Sequence, residues 1–317
     1  MKELLTEKYR PKTLDEIALP ERVKNILKNG IQTNLLLYGT QGTGKTSTAK
    51  LMVKSFKHQY IYINCSKETG IDTIREKISN FCMTSSLMSG GNGLKVVIMD
   101  EMDGMSAQAY QALRGCIEEF ACNTRFVATC NFISKVPEPI QSRFECISFD
   151  FDTSETLEVK KQYVYRIKEI CDTEGIKIDK EAISMLMKNN FPDMRSIVNK
   201  LQSMIVQGID HITIEHVSKT NSECTDIFDL VINTTDPVEN YKMIVSNYST
   251  KIDEALNSLG KEFIEYITSS NPDLIKYIPH ITIIAAKYQS QKNMCIDPVI
   301  CLLACVYEMQ QTIHQKI

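Results

Sequence analysis

"TNLLLYGTQGTGKTSTAKLMVKSF", residues 33–56, runs from an apolar stretch through a glycine-spaced turn into a segment with helical character. Inside it, "GTQGTGKT" (39–46) fits G-x-x-x-x-G-K-[ST]. Gly39, Gly42 and Gly44 let backbone N–H groups close around phosphate oxygens with no Cβ in the way. A helix that starts here presents the positive end of its dipole to the same anion. Lys45 can reach the terminal phosphates, and the Thr46 hydroxyl can be offered to Mg²⁺. Thr43 and Ser47 complete the loop. The reading at this point is a strand, a phosphate loop and a helix.

Working outward, "QYIYINCS" (59–66), "LKVVIMDEMD" (94–103), "NTRFVATCN" (123–131) and "ECISFDF" (145–151) read as four more strands. Helical stretches such as "GIDTIREKISNFC" and "SAQAYQALRGCIEEF" separate them. Apolar strands alternating with helices predict a parallel sheet covered on both faces, an α/β fold. Ligands of such sheets bind beyond the C-terminal ends of the strands. Asp100 and Glu101 end the third strand on that edge. Asp100 can hold Mg²⁺, and Glu101 can orient or deprotonate an attacking water. The adjacent pair is also consistent with a plain acidic bias at a helix start. Asn131 closes the fourth strand and could hydrogen-bond the γ-phosphate or the water; Asn64 closes the second. Asn at a strand end is equally ordinary turn chemistry.

The 317 residues predict two or three domains, and 43% apolar with 24% charged residues is the composition of a soluble globular protein. No apolar run approaches the roughly 20 residues needed to span a bilayer, and "MKELLTEKYRPKTLDE" lacks a signal-peptide core. A cytoplasmic protein with no membrane partner is expected. The eleven cysteines include no C-x-x-C pair, so reduced core thiols are expected rather than a metal site. A net charge of −3 does not announce a nucleic-acid binder, although charge can be local. "SSLMSGGNGLK" (85–95) reads as a glycine-rich loop ahead of the third strand. After residue 151 the strand runs all but stop, and helical periods follow with Gly175 and Gly208 near helix ends. The predicted domains are 1–151, with the phosphate loop; 152–218, small and helical; and 224–317, all helical and broken by Pro237, Pro272, Pro279 and Pro298.

Taken in order, "EKYRPKTLDEI", "GTQGTGKTS", "VVIMDEMD", "ALRGCIEE", "ATCN", "QSRF" and "FPDMRSIVNKLQ" resemble the AAA+ ATPase subunits of sliding-clamp loaders. The similarity is to the small subunits of replication factor C and, through "NNFPDMR", to the large subunit of tailed-phage clamp loaders. The motifs cover residues 6–202. The resemblance implies an AAA+ ATPase domain, a helical lid and a helical collar through which subunits assemble. It implies ATP and Mg²⁺ as ligands and a host-cytoplasmic location if the chain is phage-encoded. The expected partners are several copies of the chain plus one different subunit in a five-membered spiral, a sliding clamp and primer–template DNA. Glu7, Lys8, Tyr9, Arg10, Pro11 and Ala18 would frame adenine and ribose. Arg195, at a lid-helix N-terminus, would reach the phosphates as a second sensor, and Asn64 would restrain Glu101 until DNA binds.

Arg143, in "VPEPIQSRFE" (136–145), stands just before the fifth strand. That is the N-terminal edge of the sheet, opposite the phosphate loop, so this arginine cannot easily serve its own nucleotide. It can serve a neighbour's if subunits pack head to tail. Where the family usually reads Ser-Arg-Cys, this chain has Ser142-Arg143-Phe144, and Gly115 replaces a second arginine after Arg114. "GIDTIREKISNF" resembles the clamp-loader helix that faces duplex DNA, which makes Arg75 and Lys77 candidate phosphate contacts beside the amides of Ile71 and Asp72. Thr69 stands where many relatives have a basic residue. A AAA+ helicase or replication initiator is the alternative, and it predicts a DNA-binding fold in place of the plain helical run at 224–317. A non-hydrolysing scaffold is disfavoured by Lys45, Glu101 and Asn131 occurring together.

Overall fold

Five apolar runs form a single parallel sheet: β1 (Leu35–Tyr38), β2 (Gln59–Asn64), β3 (Lys95–Asp100), β4 (Thr124–Cys130) and β5 (Glu145–Ser148), in the order β2-β3-β4-β1-β5. The structure is a computed structural model describing residues 4–67, 71–84, 94–221, 225–234, 236–249, 251–292 and 294–314. The glycine-rich stretch at 85–93 and Thr69 lie outside the described residues. Every residue of the interior strand β3 is buried, as a strand covered on both faces requires. Alternation sorts its side chains. Val97 and Met99 pack with Phe126, Ile78 and Leu113 on one face, while Val96 and Ile98 pack with Val127, Val23 and Met52 on the other. The first face is covered by α4 (Ile71–Met83) and α5 (Ala107–Glu119), and the second by α2 (Glu21–Lys28) and α3 (Lys45–Ser55). Two single turns, α1 (Leu5–Lys8) and α6 (Glu138–Gln141), complete this part.

The chain divides into two compact units, Met1–Val217 and Ser218–Ile317. Within the first, α7 (Thr153–Thr173), α8 (Lys180–Asn190) and α9 (Met194–Val206) follow the sheet, and α10 (Ile214–Asn221) begins in this unit and runs past its end. They build a separate core from Tyr163, Ile167, Leu186 and Leu201. A reciprocal capping box between Asp152 and Glu155 starts α7. Two short segments, β6 (Lys177–Ile178) and β7 (His211–Ile212), pair in parallel; the helical reading of this region does not anticipate them. Leu5 belongs to this helical core and Tyr9 and Ala18 pack against it, while Ile17 and Leu19 pack with the sheet, so the N-terminal segment is held by both.

Among the described residues, the second unit holds six further α-helices: α11 (Thr225–Asn233), α12 (Pro237–Tyr248), α13 (Ile252–Gly260), α14 (Glu262–Ser270), α15 (Ile278–Gln291) and α16 (Pro298–His314). Their core centres on Leu302, Val306 and Met309 of α16, with the rings of Phe228 and Phe263 tilted against each other at a centroid distance of 5.2 Å. One buried polar knot joins three of these helices. The Gln310 amide donates to the carbonyls of Leu230 (2.9 Å) and Thr234 (2.6 Å) and accepts from Asn240 Nδ2 (2.9 Å). Cys65, Cys82, Cys116, Cys130, Cys171, Cys301 and Cys305 are buried and form no disulfide among the described residues. No described helix is long and apolar enough to cross a membrane.

Candidate functional site

β1 delivers the chain at Tyr38 to a loop whose glycines all need positive φ: 132° at Gly39, 74° at Gly42 and 95° at Gly44. A side chain at Gly42 would also overlap the Asp193 carboxylate. The loop is cross-braced. Thr43 Oγ1 donates to the Thr40 carbonyl at 2.8 Å, and Asp150 Oδ1 accepts from both the Thr40 amide and its hydroxyl at 2.8 Å. Gly44 starts α3 in the left-handed conformation with no side-chain cap, so the first amides of that helix are available to an anion. Lys45 is 7% exposed and donates to the carbonyls of Gly39 (2.7 Å) and Thr40 (2.8 Å). Burial pushes its ammonium below the usual lysine range, opposed chiefly by the field of Asp150.

At the end of β3, the buried Asp100 carboxylate gathers three hydroxyls. Oδ1 accepts from Thr46 (2.7 Å) and Thr129 (2.6 Å), and Oδ2 accepts from Tyr62 (2.6 Å). Burial, and then the bond to Asp100, raise the Tyr62 phenol well above its usual range. Thr46 and Asp100, the two predicted metal ligands, are thus in direct contact. They offer hard oxygen donors at the sheet edge that meets the phosphate loop, a donor set suited to Mg²⁺. Glu101 follows in the left-handed region (φ 57°, ψ 48°), and its N–H donates to Thr129 Oγ1 at 3.1 Å. The amides of Asn131 and Phe132 both donate to Asp103 Oδ2 at 3.2 Å, fixing the turn after β4.

A cavity of about 370 Å³ runs from these groups to the lid. Its lining includes Glu7, Tyr9, Arg10, Pro11 and Ala18 of the N-terminal segment, Gly42 to Ser47 of the phosphate loop and the start of α3, Glu101 just after β3, Asn131 just after β4, and Arg195 of α9. Asp193 caps α9 by accepting from Ser196 N, and Met194 N donates to the Gly42 carbonyl at 3.3 Å, so the helix bearing Arg195 sits on the phosphate loop. Lys8 departs from expectation. Its ammonium turns out to Glu174 Oε1 at 2.7 Å, an oxygen that also accepts from Tyr9 Oη at 2.5 Å, and Lys8 does not line the cavity. The sequence reading missed Arg166, which lines the cavity and donates to the Tyr9 carbonyl at 2.9 Å. It also missed Thr129, Tyr62 and Asp150. Each looks like an unremarkable strand or turn residue until its partner across the sheet is known.

Asn64 is in register with Asp100, but its side chain is otherwise engaged. Its Oδ1 accepts from the amides of Ser66 (3.1 Å) and Lys67 (3.0 Å), which is turn chemistry, and among the described residues no hydrogen bond joins it to Glu101. The expected restraint of Glu101 by Asn64 is therefore not the arrangement found.

Arg143 lies at the opposite edge of the sheet and does not line the cavity. Asn34 pins the backbone there, donating from Nδ2 to the Arg143 carbonyl at 3.1 Å and accepting Glu145 N at 2.8 Å. The guanidinium bonds Glu118 through Nε (3.2 Å) and Nη2, and the Pro139 carbonyl through Nη1 (2.5 Å). Arg143 holds the exposed Glu118 carboxyl below its usual range. Gly115, one turn away on α5, faces open space. Arg75 and Lys77 are exposed on α4, apart from the cavity.

Residues 35–150 match the family model described as ATPase family associated with various cellular activities (AAA). Residues 155–211 match that of the sliding-clamp-loader large subunit, AAA+ ATPase lid domain. Among curated relatives, the replication factor C small subunit of Sulfolobus acidocaldarius is 34% identical over 285 residues, covering 87% of this chain and 81% of the relative. The one from Archaeoglobus fulgidus is 36% identical over 229 residues, 69% of each chain. Among solved structures, the Thermotoga maritima RuvB Holliday junction branch migration motor aligns with a TM-score of 0.54 at 20% identity, covering 90% of this chain and 92% of that one, a likeness of fold.

Proposed function

This chain belongs to the replication factor C small-subunit family and is an ATP-hydrolysing subunit of a sliding-clamp loader; on that premise we propose how its residues divide the work. ATP binding organises a ring of these subunits that holds the clamp open, and primer–template DNA triggers hydrolysis and release. The observation that carries this is the convergence of Lys45, Glu101, Asn131 and Arg195 on one cavity while Arg143 stands at the far edge of the sheet.

Glu7, Tyr9, Arg10, Pro11 and Ala18 frame the base and sugar end, with Lys8 acting through Glu174 from outside. Gly39, Gly42, Thr43, Gly44 and Ser47 enclose the phosphates with backbone amides, and Lys45 exchanges its loop carbonyls for phosphate oxygens. Thr46 and Asp100 would hold Mg²⁺, which when bound neutralises charge on the phosphates. Glu101 orients and deprotonates the attacking water, Asn131 hydrogen-bonds the terminal phosphate, and Arg195 reports its presence to the lid. Arg143 completes the neighbouring subunit's site. Several copies with one different subunit form a five-membered spiral in the cytoplasm, built through residues 224–317. Arg75 and Lys77 contact the DNA backbone inside it, adding a salt dependence of about −0.9 per phosphate neutralised.

The deciding experiment measures ATP turnover of the complete loader with and without clamp and primed DNA. Stimulation by the two together supports the reading. Turnover indifferent to both, or strand displacement from a forked duplex, points to the helicase alternative.

A further inference from the structure

Thr129 lies two residues before Asn131 on β4 and is 2% exposed. Its hydroxyl touches both acidic positions of the site. Oγ1 accepts the Glu101 N–H at 3.1 Å and donates to Asp100 Oδ1 at 2.6 Å. A hydroxyl carries a single proton, so once the amide has taken an acceptor lone pair, that proton is committed to Asp100. The amide it holds belongs to a residue at φ 57°, a conformation that side chains with a Cβ rarely adopt and that persists only where the surroundings impose it. Asp100 itself is held by three neutral hydroxyls, from Thr46, Thr129 and Tyr62, and forms no ion pair among the described residues. Neutral donors orient a carboxylate without cancelling its charge, which stays available to a cation.

We infer that Thr129 is a positioning residue for hydrolysis: its hydroxyl locks the metal-side carboxylate of Asp100 to the backbone that aims Glu101 into the cavity. Tyr62 is the secondary brace, acting on the other oxygen of Asp100 from the edge strand β2. This rests on the assignment of the cavity to ATP hydrolysis with Asp100 on the metal side.

The test compares Thr129→Val, which keeps the shape and removes the hydroxyl, with Thr129→Ser, which keeps the hydroxyl. Both are assayed in the complete loader with primed DNA. Two quantities are read: steady-state kcat and KM for ATP, and the Mg²⁺ concentration giving half-maximal binding of a fluorescent non-hydrolysable ATP analogue. Loss of a group that orients a metal ligand typically costs about 10–100-fold in activity or metal affinity. Thr129→Val is expected to lose about that much kcat with KM changed less than about threefold, and to need about tenfold more Mg²⁺ for analogue binding. Thr129→Ser is expected to recover both quantities to within about threefold of the native protein. Should Thr129→Val fail to assemble, Tyr62→Phe carries the metal arm, with a raised Mg²⁺ requirement at unchanged thermal stability. Native kcat and Mg²⁺ dependence in Thr129→Val, beside an inactive Glu101→Gln control, would overturn the inference and leave the site assignment standing. A Glu101→Gln loader turning over at the native rate would remove the assignment and the inference together.

Discussion

At Lys45 two demands conflict. The ammonium must be charged to meet phosphate, yet its burial favours the neutral form and lowers its proton affinity below the ordinary 10.5. Between the lowered value and 10.5, the unfolded chain binds a proton that the folded chain has released, so this residue's contribution to stability rises with pH across that window. Below the window the full desolvation penalty applies, and above 10.5 it vanishes. Denaturant unfolding without nucleotide should therefore show wild type gaining on Lys45→Met as pH climbs toward 10.5. A pH-independent difference between them would contradict the account. Arg143 poses the opposite case, a cation that its own cavity does not use. Arg143→Ala should leave ATP binding to the isolated chain unchanged and lower turnover of the loader by about 10³-fold or more, the scale of an arginine supplied in trans. Mixing that variant with Lys45→Ala subunits and measuring partial recovery would show that the two residues serve the same pocket from different chains.

Among elements, the five strands were legible because each is a short apolar or β-branched run bounded by turn residues, and β3 is apolar up to its acidic end. The phosphate loop was legible because its chemistry needs glycine and lysine at fixed spacing. What could not be read were pairings across the sheet. Thr129 and Tyr62 meet Asp100 only because β4 and β2 flank β3, and their residue types are ordinary for strands. Lys8 and Asn64 were misplaced for a related reason: sequence locates a backbone position without saying which way the side chain leaves it. In the C-terminal helices, Gln310 was equally invisible, though it binds α16 to α11 and α12. Gln310→Ala would strand a buried Asn240 and two carbonyls. It should destabilise the protein by about 1–3 kcal/mol, read as a lowered unfolding midpoint. An unchanged midpoint would mean that the knot contributes nothing beyond what water offers.

For the whole molecule, the break between Val217 and Ser218 separates units with independent apolar cores. Residues 1–217 contain the entire cavity, so that fragment is expected to bind ATP with the affinity of the intact chain. It should stay monomeric by light scattering and show almost no clamp- or DNA-stimulated turnover. A fragment that assembled and was stimulated by DNA would move the subunit contacts out of the C-terminal helices. Within the sheet, β5 carries Asp150 just past one end, gripping Thr40 of the phosphate loop, and Arg143 just before the other. The seven steps between these two residues cover only about 23 Å of extended chain. If Arg143 serves the adjoining subunit, β5 stands between two nucleotides. One short strand would then join the phosphate loop of one nucleotide site to the guanidinium of the next, so that a change at either tip of β5 bears on two pockets at once.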